Sequence, residues 1–444
     1  MKQFLKSLGD GIILTIIILL FTLGIVSIAS QFPSVQTFLV KKATNYFSEK
    51  LGHPIQVGRV NIKWFDVISL QQLTIQDIHH EPMIKVERLD IDFDLLGITG
   101  QKHKGVYLDE VTLFQPDVNL VKDTATNLLN IDYLIENIGK LTAKKDTLAK
   151  KSGIFTIGKA NLIDGIVHFV DVSAPVIQDR DVFDFKNFTL ENVASELENF
   201  SVYADTIRFQ ANGLTAVDRH TGLKVDRLDT RFMFHKKGME LAELDIRAGN
   251  SHIKDYLYFK YDHPSAFNDL NNKIEITANF ADSRIYSDDI GYFAKYLFSL
   301  EEYWNITGNF QGKVVDFTLS KLQLKFGNNS ILKGDFTFKG LPEFRSTGMM
   351  FKINETQISP NDLVQYAPKA KFHKTLQRFG NITANAIYAG SIADFTVKGL
   401  FDTDIGHLET DLVFSAKETH NTTYKGYLKT QSLDLGKMLA NTAT

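Results

Sequence analysis

An alternation of apolar and polar residues runs through most of this 444-residue chain and constrains its fold more than any other feature. The alternation begins after Gly52 and is clear at residues 89–95 (LDIDFDL) and 274–280 (IEITANF). Successive side chains of a β-strand point to opposite faces of the sheet. The pattern therefore predicts a mainly β protein in which each strand has one apolar face.

Composition excludes several classes of protein. The chain has no cysteine, which excludes disulfides, thiolate metal sites and cysteine nucleophiles. A net charge of −3 gives no positive field for a polyanion, so we expect no binding to nucleic acid. A hydrophobic content of 44%, with 34 phenylalanines, is too high for a disordered chain.

The first thirty residues contain a hydrophobic segment without a charged residue, residues 11–29. A helix of this length spans about 28 Å, close to the hydrocarbon core of a bilayer. The segment is predicted to be a transmembrane signal anchor, with residues 1–10 cytoplasmic because Lys2 and Lys6 precede it. Its representative positions are Gly11, Ile12, Ile18, Phe21, Ile28 and Ala29. The alternative is a cleaved signal peptide, with Ser27-Ile28-Ala29 as the small-x-small site.

Residues 34–52 are predicted to form an amphipathic helix, since Pro33-Ser34 and Gly52 supply a start and a stop. Its apolar positions are Val35, Phe38, Leu39, Tyr46, Phe47 and Leu51. Such a helix lies on a membrane surface, closes the end of the fold, or packs on a sheet. Further along, we expect a β segment with one helix at 53–142, a polar linker at 143–152, and a repetitive β region at 153–444.

An internal repeat is visible in the last third, with units at about 274–338 and 349–414 and an offset of 73 to 78 residues. Each unit consists of two strands, a short helix that begins with acidic or Asn residues, and several more strands. Repeated strand units predict a growing antiparallel sheet in which each unit contacts its neighbours. An open sheet of that length must curl, so we expect an elongated trough, or two sheets that sandwich together. A trough would keep a long apolar inner surface.

Motifs that carry enzymatic chemistry are absent from the sequence, and we expect neither an enzyme nor a cofactor or metal site. His79-His80 is the densest histidine pair and is predicted to lie in a turn. Asp90, Asp92 and Asp94 alternate with apolar residues, as on the solvated face of a strand. Asp288-Asp289 and Asn361-Asp362 are predicted helix starts, where negative charge suits the helix dipole.

A family resemblance rests on the order of several segments. These are residues 33–39 (PSVQTFL), 43–46 (ATNY), 55–60 (IQVGRV), 70–77 (LQQLTIQD), 155–171 (FTIGKANLIDGIVHFVD) and 426–436 (GYLKTQSLDLG). Together with the hydrophobic segment, they resemble the TamB proteins of the translocation and assembly module, within the AsmA-like superfamily of bacteria with two membranes.

The resemblance implies an inner-membrane anchor, a periplasmic β-sheet trough, and a role in carrying phospholipid towards the outer membrane. It also implies help in assembling outer-membrane proteins with a barrel partner, bound through a C-terminal domain. That domain is not recognisable in this sequence, which therefore resembles the N-terminal portion of such a protein, or a short or truncated version of it.

The functional hypothesis is a membrane-anchored lipid conduit whose apolar strand faces shield acyl chains. The candidate groove residues are Ile274, Ile276, Phe280, Phe317, Leu319, Phe336, Phe338, Met349, Phe351, Ile353, Phe395 and Val397. The alternatives are that these residues fill a closed core, and that the protein is a scaffold or chaperone. Such a scaffold would help outer-membrane protein insertion and protein secretion by receiving a client strand at its sheet edge.

Overall fold

A computed structural model describes residues 32–63, 67–92, 106–142 without 125 and 127, and 154–439 without 204–205, 344, 367–372 and 419–420. The predicted cytoplasmic segment 1–10, the predicted anchor 11–29 and the predicted linker 143–152 lie outside the described residues. In the described ranges, no helix combines the length and the apolar character that a membrane span needs.

The chain is mainly β, as the alternation predicts, and forms two compact units. Unit 1 comprises Met1–Val172 and Glu191–Asp205, and unit 2 comprises Ser173–Leu190 and Thr206–Thr444.

Where the structure describes it, unit 1 contains strands and two helices. The strands are β1 (Ile55–Gln56), β2 (Arg59–Lys63), β3 (Val67–Gln76), β4 (Pro82–Asp92), β5 (Val106–Lys122), β6 (Ile154–Asp171) and, from Glu191 onward, β7 (Asn187–Tyr203). The helices are α1 (Pro33–Leu51) and α2 (Asn130–Thr142). Strands β1 and β2 both pair with β3, and β3, β4 and β5 follow in antiparallel order.

One strand pair departs from the antiparallel prediction. Strands β5 and β6 run parallel, in register from Val106 opposite Phe155 to Lys122 opposite Asp171. Helix α2 lies in the connection between them, because a parallel pair needs a crossover rather than a hairpin. Inside this pair the Lys122 ammonium and the Asp171 carboxylate form a buried ion pair at 2.8 Å.

Helix α1 occupies almost the residues predicted, but only part of its predicted apolar face is covered: Val35 and Leu51 are half-buried. It begins at Pro33, with Phe32 rather than Ser34 at the N-cap, and Gly52 ends it in the left-handed conformation. The predicted apolar face is wrong in part, since Phe38, Tyr46 and Phe47 are 47% to 59% exposed. The helix packs on β1, β2 and α2 with Gln36 buried and with Val35, Val40, Thr44, Ser48 and Leu51 half-buried. The Ser48 hydroxyl accepts a hydrogen bond from the Ile55 amide at 2.8 Å.

Unit 2 is an antiparallel meander in which each strand from β8 to β20 pairs with the next. The strands are β8 (Thr206–Asp218), β9 (Lys224–His235), β10 (Gly238–Ala248), β11 (Ser251–Lys260), β12 (Glu275–Tyr286), β13 (Tyr303–Lys313), β14 (Asp316–Phe326), β15 (Ser330–Lys339), β16 (Gly348–Ile358), β17 (Ile382–Ser391), β18 (Asp394–Thr403), β19 (Gly406–Glu418) and β20 (Asn421–Gln431). The short helices are α3 (Leu270–Lys273), α4 (Ser287–Gly291), α5 (Pro360–Leu363), α6 (His373–Arg378) and α7 (Leu435–Leu439), with 3-10 turns at Pro264–Asp269, Lys295–Ser299 and Val364–Tyr366.

The predicted repeat has a structural counterpart, except that one strand rather than the predicted two precedes the helical turns in each unit. Strands β12 to β15 and strands β16 to β19 share one order: a strand, short helical turns, then three strands joined by tight links. The acidic residues at the helix starts also accept hydrogen bonds from the turns of neighbouring hairpins. The Asp362 carboxylate accepts hydrogen bonds from the Asn328 and Asn329 amides and from the Ser330 hydroxyl in the β14–β15 turn.

The first repeat makes the same contact between a helix start and a hairpin turn. The Asp289 carboxylate accepts hydrogen bonds from the Asn250 amide and the Ser251 hydroxyl in the β10–β11 turn. The second repeat also needs Gly327, whose φ of +59° disfavours other residues and whose missing Cβ leaves room for the Asp362 carboxyl. In each repeat, one carboxylate at the helix start is therefore hydrogen-bonded to the turn of the preceding hairpin.

A row of β-bulges crosses the middle of β10 to β16. Its positive-φ residues are Glu243, Asp255, Asp282, Lys321 and Glu355, and the strand register shifts at each of them. A bulge bends its strand and increases the local twist, so an aligned row concentrates the bending of the sheet along one line.

Candidate functional site

Eleven of the twelve candidate groove residues share one face of the unit 2 sheet, as the strand register shows. Directly opposed residues of an antiparallel pair share a face. One such row runs across β9 to β20 and consists of Phe234, Met239, Phe259, Ile276, Gly312, Phe317, Phe338, Met349, Gly390, Phe395, Phe414 and Tyr424. We call the sheet face that carries this row the ladder face.

Aromatic rings make a continuous series of contacts on the ladder face. We call this series, which has one ring from each of β13 to β19, the aromatic ladder. Its members are Phe310, Phe317, Phe338, Phe351, Tyr388, Phe395 and Phe414. Successive ring centroids are 4.8, 5.0, 5.3, 5.4, 5.0 and 4.9 Å apart. At about 4.8 Å per strand, the aromatic ladder extends roughly 29 Å across the sheet.

The side chains of the aromatic ladder are neither fully buried nor fully exposed to solvent. All of its side chains are half-buried, whereas Phe336 and Met349 beside them are buried at 5% and 6% exposure. Burial also raises the pKa of the Tyr388 phenol, whose hydroxyl donates a hydrogen bond to the Ser391 carbonyl at 2.8 Å. The row therefore presents an apolar surface that keeps access to solvent.

Glycines beside the aromatic ladder allow the strands to come close to it. Gly312 lies opposite Phe317 in the first repeat, and Gly390 lies opposite Phe395 in the second. Gly390 has a φ of +133°, and a Cβ there would lie 2.2 Å from the Asp394 carbonyl oxygen. The sequence repeat thus reproduces a Gly–Phe pair at the same place in each unit.

Eleven of the twelve candidate groove residues lie on the ladder face. They are Ile276, Phe280, Phe317, Leu319, Phe336, Phe338, Met349, Phe351, Ile353, Phe395 and Val397. Ile274 does not, because it precedes β12 and is fully buried in a closed cluster with Tyr261 and Ala266. That cluster also covers the end of the row near Ile276. Four residues of the row pack against the cluster: Phe234, Met239, Phe259 and Ile276.

Sequence reasoning missed three members of the aromatic ladder: Phe310, Tyr388 and Phe414. Phe414 could have been found, since the repeat aligns it with Phe338. Phe310 and Tyr388 each lie two residues before a glycine, Gly312 and Gly390, so the apolar alternation is interrupted beside them and is harder to follow.

The opposite face of the same strands is exposed and mixed in character, since Met350, Ile387 and Val413 lie there at 45% to 52% exposure among polar and charged residues. On β16 and β18, Lys352 and Lys398 alternate with the ladder residues and point away from them. The Lys398 ammonium lies 3.1 Å from the Asp411 carboxylate, and this hydrogen bond raises the pKa of Lys398.

The other residues considered as chemical sites make structural contacts. His79 lies in a turn, with its Nε2 3.4 Å from the Asp123 carboxylate. Asp90 accepts a hydrogen bond from the Ser69 hydroxyl at 2.6 Å, and Asp94 lies outside the described residues. Within the part of the chain that the structure describes, no group of three or more acidic, histidine or cysteine side chains is arranged to hold a metal ion.

Comparisons with known proteins identify no relative: no family model, no curated protein and no solved structure matches this chain. The resemblance to the TamB family stays a prediction from the sequence.

Proposed function

We propose that the aromatic ladder binds the acyl chains of phospholipids, and that the protein is a bridge-like lipid conduit similar to TamB. In this proposal residues 11–29 anchor the chain in the inner membrane, the N-terminus is cytoplasmic, and the bulk lies in the periplasm. The observation that carries the proposal is the continuous half-buried row of rings from β13 to β19.

The first supporting argument is the free energy of an apolar surface in contact with water. A contiguous exposed apolar patch is a liability unless something binds to it. Covering it with acyl chains would recover about 0.8 kcal/mol for each CH₂ group removed from water. The row continues from strand to strand, so a bound chain could move along it without meeting a polar barrier.

The second argument concerns which part of a lipid the row would accept. Six of the seven rings are phenylalanine, and the single hydroxyl, that of Tyr388, is already hydrogen-bonded to Ser391. Such a surface favours acyl chains over head groups, since an ionised head group would lose hydration there without gaining partners. We therefore expect head groups to stay in water while the acyl chains lie on the rings.

The experiment is a binding assay with the purified full chain in detergent and a phosphatidylglycerol that carries a fluorescent acyl chain. Phe351→Asp, which puts a carboxylate in the middle of the aromatic ladder, should weaken binding by about tenfold, or about 1.4 kcal/mol. The matched control is Lys352→Asp, on the adjacent residue of the opposite face.

Circular dichroism would confirm that both variants keep the β fold of the wild type. Equal binding by the wild type and by folded Phe351→Asp would refute the proposal.

A further inference from the structure

An exposed aromatic surface lies where the loop 173–190 meets the link between β12 and β13, and both segments belong to unit 2. The Phe183 ring contacts the rings of Phe185 and Phe293 at centroid distances of 5.0 and 5.8 Å, and these two rings are 5.6 Å apart. Phe183 is half-buried, whereas Phe185 and Phe293 are 56% and 51% exposed. Further large apolar or aromatic side chains of the same two segments are also exposed. We call the exposed set the loop patch, and its members are Val176, Ile177, Phe185, Phe293 and Tyr296.

Hydrogen bonds hold the two segments of the loop patch in place. The buried Asp184 carboxylate accepts hydrogen bonds from the Ile177 and Lys186 amides, both at 2.9 Å, and so fixes the conformation of the loop. The Phe183 amide donates a hydrogen bond to the Tyr292 carbonyl oxygen of the link at 2.9 Å. The loop patch is therefore a preformed surface, and binding there would not have to order the backbone first.

Two cations of the loop have no acidic partner. The Lys295 ammonium of the link forms ion pairs with the Asp179 and Asp181 carboxylates at 2.7 and 3.2 Å, so both of these acids already have a cationic partner. The exposed side chains of Arg180 and Lys186, in contrast, make no ion pair with the described residues. The loop thus presents apolar side chains next to free positive charge.

The surface of a bilayer with anionic head groups matches this combination. Aromatic side chains favour the boundary between head groups and acyl chains, where the rings leave water and a tyrosine hydroxyl such as that of Tyr296 stays hydrated. Lysine and arginine beside such residues are attracted to the negative surface of a membrane that contains anionic lipids. An apolar surface alone would not distinguish a membrane from a protein partner, whereas the free cations favour the anionic membrane.

We propose that the loop patch inserts into the surface of a bilayer that contains anionic phospholipids, with Arg180 and Lys186 at the head groups. This contact is separate from the predicted anchor at 11–29 and from helix α1. It would hold unit 2 against a membrane. The inference does not depend on acyl-chain binding by the aromatic ladder, since no ladder residue contributes to the loop patch.

The test uses the purified full chain, which has no cysteine, so that one introduced cysteine can carry an environment-sensitive NBD fluorophore. Tyr296→Cys places the fluorophore in the loop patch, and Lys236→Cys places it in the exposed β9–β10 turn as the control. Each protein is reconstituted into phosphatidylcholine vesicles, with or without phosphatidylglycerol, that contain a lipid with a quenching spin label on its acyl chain. We expect at least about twofold quenching at position 296 in the phosphatidylglycerol vesicles and none at position 236.

Two kinds of variant assign the quenching at position 296 to its cause. Arg180→Glu/Lys186→Glu should lower it to the value seen without phosphatidylglycerol, whereas Lys236→Glu/Lys237→Glu, which changes two exposed lysines of the β9–β10 turn, should leave it unchanged. Phe351→Asp should also leave it unchanged, because that residue belongs to the aromatic ladder. A failure of the lipid conduit and a failure of this inference are therefore distinguishable.

Several results would overturn the inference. They are no quenching at position 296, equal quenching at positions 296 and 236, no change in the Arg180→Glu/Lys186→Glu variant, and loss of the signal in Phe351→Asp. A dimer in light scattering that Phe185→Asp/Phe293→Asp abolishes would identify a second copy of the chain as the occupant instead. Circular dichroism on every variant separates a lost membrane contact from lost folding.

Discussion

Two stretches of one register row differ in what covers them. At β9 to β12 the row of Phe234, Met239, Phe259 and Ile276 packs under the link between β11 and β12, and a closed cluster forms. From β13 to β19 the same row continues as the aromatic ladder, whose rings stay half-buried. Both stretches have the same alternation in sequence. The side chains of the row are half-buried in both stretches; what the short helical link adds at β9 to β12 is a buried cluster of Tyr261, Ala266 and Ile274 that packs against one end of the row.

The largest expected effect lies in the covered stretch. Ile274 is fully buried, so Ile274→Ala should lower the free energy of unfolding by about 3 kcal/mol through lost burial and a cavity. Phe395→Ala, in the open stretch, should cost only about 1.5 kcal/mol although it removes more atoms. Urea denaturation followed by tryptophan fluorescence measures both. A loss for Phe395→Ala larger than that for Ile274→Ala would mean that the aromatic ladder is a closed core.

The contacts that fasten the repeats to their hairpins should have the next largest effect. Asp362→Ala would leave the Asn328 and Asn329 amides and the Ser330 hydroxyl without their acceptor, at a cost of about 2 kcal/mol. Asp289→Ala should behave alike in the first repeat, whereas Asp362→Asn, which keeps one acceptor oxygen, should cost less. The same denaturation assay applies, and unchanged stability for both alanine variants would contradict the account.

Acid should weaken the same contact. Burial alone would raise the pKa of Asp362, but the hydrogen bonds from Asn328, Asn329 and Ser330 outweigh it and hold the pKa below its usual range. A carboxyl with a lowered pKa in the folded state stabilises the protein above its unfolded pKa of about 3.9. That contribution is lost as the pH falls through the folded pKa. The stability difference between wild type and Asp362→Asn should therefore shrink below about pH 4, as unfolding measured at a series of pH values would reveal.

A smaller effect is expected at the bulge row. The Thr356 hydroxyl accepts a hydrogen bond from the Lys333 amide and donates one to the Lys333 carbonyl, which closes the β15–β16 pair where its register shifts. Thr356→Val should cost about 1 kcal/mol. Thr396→Val, at an exposed position of β18, provides the matched control and should leave the urea midpoint unchanged. Equal midpoints for the two variants would argue against a role for the buried hydroxyl.

The smallest effect is expected at Lys352, on the face opposite the aromatic ladder. Lys352→Ala should change stability by less than about 0.5 kcal/mol and leave lipid binding as it is, because its side chain is exposed and points away from the aromatic ladder. A loss of lipid binding in this variant would place the lipid on the face opposite the aromatic ladder and would contradict the proposal.

Much of this architecture could be predicted from the sequence. Alternation at Met349, Phe351 and Ile353 gave the strand and its apolar face, and the repeat gave the order of β12 to β19. Ile274 continues the alternation of β12, yet it lies in a closed cluster because the preceding link folds over it. Nothing in the local pattern distinguishes the fully buried Ile274 from the half-buried Phe351. Whether a strand face is covered depends on contacts with other segments of the chain.

Bulges and crossovers were the other features that the pattern could not predict. The extra residue at Glu355 shifts the phase of β16, so that Ile353 and Thr356 rather than Ile353 and Glu355 share a face. The parallel pairing of β5 and β6 leaves no trace in the alternation of either strand. In α1, sequence periodicity placed Phe38 and Tyr46 inside, but both are exposed, and the covered side includes Gln36, Val40 and Ser48, of which Ser48 hydrogen-bonds to β1.

The central claim, that acyl chains lie on the aromatic ladder, is tested most directly by photocrosslinking in cells at two adjacent residues. A benzophenone amino acid would replace Phe351 in one strain and Lys352 in the other, and mass spectrometry would identify the adducts. The account predicts phospholipid adducts at position 351 and none at position 352. Adducts with protein alone at position 351, or equal lipid adducts at both positions, would contradict it.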